Sequence, residues 1–212
     1  MADEVWQKLF KGKSVVNLGY GWDRIENVQW RILHGELDGF SAQKIFMMLG
    51  TNNLDINSDE EIIRGIKETV ALIAGKQPQA ELYVVKILPR RDREERLAVL
   101  NAQLEKAFAG NASVRVLDVS DVLVGKDGKI DERLFSDGLH PNRDGYKRIA
   151  GRLKPYVKSS FQTVFFVAIS LLRGCFCKIM CNGQQAELNF NLLKPTKMEP
   201  LEVLVVLEVS KY

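Results

Sequence analysis

The chain is poor in cysteine, histidine and long apolar runs, and each shortage excludes something. Its three cysteines, Cys175, Cys177 and Cys181, sit close together near the carboxyl end. An odd number in one short stretch does not make a disulfide framework. With no further ligand nearby, they do not complete a structural zinc site either. No metal site is therefore expected at these cysteines. The N-terminus carries Asp3-Glu4 and no apolar stretch behind it, so no secretory signal is visible. Reduced thiols and a cytoplasmic location are the expectation, and the sequon Asn111-Ala112-Ser113 then carries no consequence. The apolar run Thr163–Leu172 ends at Arg173, well short of the ~20 residues that a membrane span needs, so no span is expected. Charge is nearly balanced, with 30 basic and 27 acidic residues and a net +3. The one basic cluster, Arg90-Arg91, runs directly into Asp92-Arg93-Glu94-Glu95-Arg96. It reads as a solvated loop and helix start, and nucleic acid is not an expected partner.

Nucleotide-binding signals are equally thin. Gly12-Lys13-Ser14 has Gln7 where a phosphate loop would have its first glycine, and it precedes a strand instead of following one. Gly19 and Gly21 lack the third glycine of a dinucleotide fingerprint.

What is present is an alternation of strand and helix from residue 15 to residue 158. Short runs rich in Val, Ile and Leu, as in strands buried on both faces, predict strands at Val15–Gly19, Lys44–Gly50, Glu81–Leu88 and Ser113–Val119. Ser58 with Glu61 makes a capping box for a helix whose apolar face is Ile62, Ile63, Ile66, Val70 and Ile73, ended by Gly75 and Pro78. A second helix is predicted from Glu94 to Phe108, with Leu97, Leu100, Leu104 and Phe108 inward. A third begins near Asn142 and carries Tyr146, Ile149, Leu153 and Val157. The pattern is doubly wound α/β, in which ligands sit beyond the carboxyl ends of the strands.

Two stretches carry chemistry. Asp137-Gly138-Leu139-His140 places a carboxylate three residues before an imidazole, in a turn that opens a helix. A carboxylate there fixes the tautomer of the imidazole, which takes a proton from a nucleophile. Gly50-Thr51-Asn52-Asn53 follows the apolar run Ile45–Leu49. A side-chain amide at the end of a buried strand can donate a hydrogen bond to an oxyanion. The other histidine, His34, sits in the helical stretch Trp30–Leu37 and reads as a partly exposed helix residue. Trp30 and Leu33 read as core or subunit interface. Ser14 lies at the start of a strand, on the wrong edge of the sheet for chemistry.

These blocks, together with Val16-Asn17-Leu18-Gly19-Tyr20-Gly21-Trp22-Asp23-Arg24, Asn27-Val28-Gln29-Trp30-Arg31 and Gly35-Glu36-Leu37, resemble the SGNH (GDSL) hydrolases. The likeness is to the platelet-activating-factor acetylhydrolase catalytic-subunit type and covers residues 15 to 158. The resemblance implies a flavodoxin-like three-layer sandwich and a serine ester hydrolase acting on short acyl esters, such as acetyl groups on lipids or sugars, with no metal or organic cofactor. His140 would be the base, Asp137 its orienting partner, and Asn52 with the backbone N–H at Trp22 the oxyanion donors. It also implies dimers of related catalytic subunits and a WD-repeat regulatory partner. Trp22 stands where the family has glycine, and its indole is expected to crowd the position.

No Gly-Asp-Ser occurs among the 212 residues. In the resembled fold that motif ends a strand lying between the strands equivalent to Val15–Gly19 and Lys44–Gly50, so the first strand is expected to be missing or replaced. Residues 1–14 read as a truncated N-terminal segment, 15–158 as the hydrolase-like domain and 159–212 as an atypical tail. Within the tail, Val164-Phe165-Phe166-Val167 could enter the vacant slot and bring Ser170 towards Asn52 and His140. Leu201–Val209, followed by Ser210, is the other candidate for the slot. Three readings stay open: a hydrolase with a replaced nucleophile, a pseudoenzyme that works through subunit association, and a non-functional truncated isoform.

Overall fold

In the computed structural model, residues 2–157 are described, together with short strands at 165–167, 179–181 and 184–186. The elements run in the order α1 (Ala2–Leu9), α2 (Ile25–Leu33), β1 (Lys44–Met47), α3 (Asp59–Lys76), β2 (Glu81–Val85), α4 (Glu94–Ala107), β3 (Val114–Leu117), α5 (Arg143–Val157), β4 (Phe165–Val167), β5 (Ile179–Cys181) and β6 (Gln184–Ala186). Single turns of 3-10 helix follow β1 at Thr51–Asn53 and precede α5 at Glu132–Leu134.

Strands β3, β2, β1 and β4 form one sheet in that order. Every pairing in it is parallel, with Ile45 opposite Leu82 and Leu82 opposite Val114. All four residues of β1 are buried, as are the last four of β2, so these strands have helices or loops over both faces. Phe46 and Tyr83 stack across neighbouring strands with their ring centroids 4.5 Å apart, and Tyr156 of α5 meets Tyr83 edge-on at 5.7 Å. The helices pack in two groups, α2 on α3 on α4, and α1 on α5. The fold is the α/β sandwich that the sequence predicts. Strands β5 and β6 pair antiparallel, apart from this sheet.

Helix α3 begins as its sequence dictates. Ser58 Oγ accepts from the Glu61 amide at 3.2 Å, and the Glu61 carboxylate accepts from the Ser58 amide at 2.9 Å. Ile62, Ile66, Val70 and Ile73 are buried, each contributing ~1.5–3 kcal/mol of transfer free energy. Ile63 is only partly buried at the edge of this face. The helix runs through Gly75 to Lys76 and is closed by Gln77. The buried Gln77 side chain bonds the Leu37 and Phe40 carbonyls and the Ala42 amide, tying α3 to the entry of β1.

Two expectations need correction. Val15–Gly19 is not a regular strand: it shows only single bridge positions, at Ser14, Val15 and Asn17. Asn17 Oδ1 accepts from the Gly19 amide at 2.8 Å, and this local bond competes with a strand ladder. Val16 and Leu18 are nonetheless buried. Helix α2 begins at Ile25, earlier than Trp30, and ends before Gly35. Residues 2–9 form a helix, and Trp6 packs edge-on against Tyr146 of α5 at 5.9 Å while Glu4 pairs with Arg143 at 2.6 Å.

A strand from beyond residue 158 does lie against β1. Phe165 is opposite Ile45 and Val167 opposite Met47, in parallel, on the side of β1 away from β2. Phe165–Val167 thus pairs with β1 on that side. Ser170, Cys175, Cys177, the run Leu201–Val209 and Ser210 lie outside the described residues.

Candidate active site

The carboxyl edge of the sheet gathers three loops, each from a different part of the chain. The first follows β1. Gly50 has φ +117, and a Cβ there would lie 2.9 Å from Ile87 Cδ1, so only glycine turns the chain this tightly against the β2 exit. That turn delivers Thr51, Asn52 and Asn53. Asn52 is half-buried, and its Nδ2 donates to the Asp23 carbonyl at 2.9 Å. A side-chain amide has two hydrogens, and the second meets no acceptor among the described residues. Asn53 Oδ1 accepts from the Ile25 amide at 3.0 Å, supplying a partner at the start of α2.

The second loop is the Tyr20–Asp23 turn. Trp22 has φ +65, the left-handed region that favours glycine. Trp22 is 56% exposed. Arg31 of α2 grips Asp23 through both terminal nitrogens, at 2.8 and 2.5 Å.

The third loop carries the predicted relay. Asp137 Oδ2 lies 2.7 Å from His140 Nδ1, and Asp137 Oδ1 accepts from the His140 amide at 2.8 Å and the Leu139 amide at 3.0 Å. Partial burial pushes the Asp137 carboxyl up, but the hydrogen bonds from the His140 amide, the His140 ring and the Leu139 amide outweigh it and hold the group at about 2. An ionised Asp137 requires the proton on Nδ1, which leaves Nε2 with a lone pair. The His140 side chain is 13% exposed, and Nε2 has no partner among the described residues. In the neutral imidazole that nitrogen is open to accept a proton.

The Arg90–Arg96 segment, expected to be a solvated loop, joins these pieces. Arg90 reaches the Thr51 carbonyl at 3.4 Å and Asp55 at 3.4 Å. The next amide, that of Arg91, donates to the Gly138 carbonyl at 2.8 Å, and the Arg91 side chain forks onto Glu132 at 2.7 and 2.6 Å. Arg96 bonds Asp59 and the Leu54 and Asn57 carbonyls. One segment thus holds the Asn52 loop on one side and the Asp137 turn on the other. The signal in the sequence was its density of fork-shaped donors beside acidic loops, which sequence reading took for self-neutralisation.

The remaining candidates fall elsewhere. His34 closes α2, stacks on Trp30 at 4.0 Å and bonds the Trp30 carbonyl through Nδ1. Trp30 and Leu33 are 60% and 61% exposed, so neither is core. Among the described residues no cluster of His, Cys, Asp and Glu could hold a metal ion, and no helix is long and apolar enough to cross a membrane.

A carboxylate–imidazole pair and a side-chain amide, both set on loops at the carboxyl edge of a parallel sheet, make the frame of an α/β acyl hydrolase. The chain belongs to the GDSL-like lipase/acylhydrolase family, whose model matches residues 1–148. It is 35% identical over 150 residues to platelet-activating factor acetylhydrolase IB subunit alpha2 of Rattus norvegicus, covering 69% of this chain and 65% of that protein. It is 33% identical over 154 residues to the alpha1 subunit of Homo sapiens, covering 71% and 66%. The chain therefore spans about 65% of the length of these relatives. A solved structure from Streptococcus pneumonia, provisionally assigned as a platelet activating factor, superposes with a TM-score of 0.60 at 19% identity, over 74% of this chain and 92% of that one. The C-terminal domain of Drosophila Oskar superposes with a TM-score of 0.53 at 11% identity, over 64% and 70%. At these identities the two structures speak to the fold alone.

Proposed function

We propose that this chain carries the site of an SGNH-type ester hydrolase for short acyl esters. The observation that carries the reading is the 2.7 Å contact between His140 Nδ1 and an Asp137 held ionised. In this reading His140 Nε2 takes the proton of a serine hydroxyl as that oxygen attacks the ester carbonyl. Asp137 stabilises the imidazolium that forms. The free Nδ2 hydrogen of Asn52 and the backbone N–H of Trp22 receive the negative charge on the carbonyl oxygen. His140 then returns the proton to the departing alcohol, and water releases the acyl group by the same route in reverse.

The candidate nucleophile is Ser170, the serine that follows Phe165–Val167 in the sequence. The substrate class, acetyl-type esters on lipids or sugars, and a cytoplasmic setting follow from the likeness to acetylhydrolase subunits. So does association with a second catalytic subunit and with a WD-repeat partner. The segments 1–14, 15–158 and 159–212 would serve as end, catalytic domain and strand-supplying tail. The test is steady-state hydrolysis of p-nitrophenyl acetate by the full chain. Turnover that is lost in both His140→Ala and Ser170→Ala supports the assignment. Turnover that survives His140→Ala overturns the relay, and turnover that survives Ser170→Ala moves the nucleophile elsewhere.

A second reading is favoured by the absence of Gly-Asp-Ser from the 212 residues. In it the chain is a pseudoenzyme that acts by pairing with a related subunit. The hydrolysis assay separates the two: this reading predicts a dimer by light scattering that shows no turnover.

A further inference from the structure

We propose that Arg31 and Glu36 are positioning residues that hold the Trp22–Asp23 turn against Asn52, acting on the oxyanion site through Asp23 without touching substrate. The proposal rests on Asn52 as the oxyanion donor and adds the device that aims it.

The geometry is that of one guanidinium holding a whole segment. Arg31 Nη1 donates to Asp23 Oδ1 at 2.8 Å, and Nη2 lies 2.5 Å from Oδ2 as a charge contact, Oδ2 being buried without a hydrogen-bond partner. Nη2 also reaches the Leu18 carbonyl at 3.4 Å, and the guanidinium carbon lies 4.5 Å from the centre of the Tyr20 ring. Residues 18, 20 and 23 are thus all fixed by one side chain, across a turn whose Trp22 stands at φ +65. A bulky residue in that region persists only where its surroundings over-determine it. The Asp23 carbonyl in turn accepts from Asn52 Nδ2 at 2.9 Å, so a shift of the turn is a shift of the Asn52 amide.

Glu36 decides how firmly Arg31 holds. Its Oε1 takes the Arg31 Nε at 2.6 Å, while its Oε2 is buried and has no hydrogen-bond partner. Two largely buried carboxylates therefore share one guanidinium. Burial pushes Glu36 up to about 7, against the charge and hydrogen bond of Arg31, and the charge of Asp23 adds to the rise. Burial also raises Asp23, with Arg31 opposing. The charged groups that act on Glu36 are Arg31, from α2, and Asp23, from the turn before it, with the Tyr20 phenol ring over Arg31 as the further titratable group. When Glu36 carries its proton, Arg31 belongs to Asp23. When Glu36 ionises, its charge faces that of Asp23 across the one guanidinium and the turn loosens.

The test needs no turnover and is therefore separate from the hydrolysis assay. In the ¹⁵N-labelled full chain, the Asn52 side-chain amide is identified by its loss in Asn52→Asp and followed from pH 5 to 9. The wild-type signal is expected to shift with one midpoint near 7 and to stay flat in Glu36→Gln. In Arg31→Lys, which keeps the charge but loses the fork, it is expected to move towards the position of a solvated amide. The buried Asn101 amide, bonded to the Ile87 carbonyl at 2.8 Å, should not move and reports the fold. A folded Arg31→Lys chain with an unmoved Asn52 signal overturns the proposal, and so does a wild-type titration that persists in Glu36→Gln. If Arg31→Lys does not fold, the Glu36→Gln titration decides alone. A positive result here with full hydrolysis in Asn52→Ala would refute the oxyanion assignment and leave the coupling standing.

Discussion

The two halves of the candidate site are built on opposite plans. The Asp137–His140 half is local: three hydrogen bonds close within four residues, and the Asp137 side chain is 40% exposed. The Asn52 half is assembled from afar. Asn52 and Asn53 reach partners 29 and 28 residues away, and the turn they hold depends on Arg31 and a buried pair of carboxylates. The difference teaches where each half is vulnerable. A local turn survives changes in the core around it, whereas a long-range assembly inherits every strain in its supports.

The largest effect expected is at the relay. His140→Ala should slow ester hydrolysis by ~10²–10⁴-fold, the usual contribution of a positioned general base, with no loss of folding cooperativity in urea. Asn52→Ala should follow with ~10²–10³-fold in kcat, the cost of one oxyanion donor. It should also move backbone amide signals in the Tyr20–Asp23 turn, which His140→Ala leaves alone. If both substitutions perturb distant signals equally, the contrast between the halves fails.

Glycine substitutions sharpen the contrast in stability. Gly50→Ala places a Cβ 2.9 Å from buried Ile87 at φ +117, whereas Gly138→Ala places one 2.6 Å from the flexible, half-exposed end of Arg91 at φ +81. Both carry the left-handed penalty of ~1–2 kcal/mol. Gly50→Ala adds overpacking of ~1–3 kcal/mol and should shift the urea midpoint further.

The smallest effects concern pH, and the two halves should respond with opposite sign. Asp137 falls from 3.8 to about 2 on folding, so the stability it lends is present above pH 4 and lost as pH drops through 4 towards 2. Glu36 rises from 4.5 to about 7, so its contribution is full below pH 4.5 and is lost as pH climbs from there to 7. Urea midpoints measured across pH should lose the acid-side slope in Asp137→Asn and the slope between pH 4.5 and 7 in Glu36→Gln.

The same contrast explains what sequence could show. Asp137 and His140 were legible because their partnership is written three residues apart. Gly50-Thr51-Asn52 was legible because it ends an unmistakable apolar run. Helix α3 announced itself through Ser58 and Glu61, and its capping box formed as read. What sequence could not show were meetings between distant side chains. Arg31 with Asp23 and Glu36 has no period and no motif. Nor has the Arg90–Arg91 bridge between Thr51 and Gly138, because a cluster with its own acids nearby looks self-satisfied until the fold offers it other partners. Asn17 illustrates the converse, where one local hydrogen bond overrode the strand that Val15 and Val16 predict.

The most direct test of the account is fluorophosphonate labelling of the purified full chain, with the modified residue mapped by mass and His140→Ala alongside. The account predicts a single labelled serine, with Ser170 the candidate, whose labelling disappears in His140→Ala. A folded chain that takes no label, or labels equally well without His140, would contradict the claim that the Asp137–His140 pair serves a nucleophile.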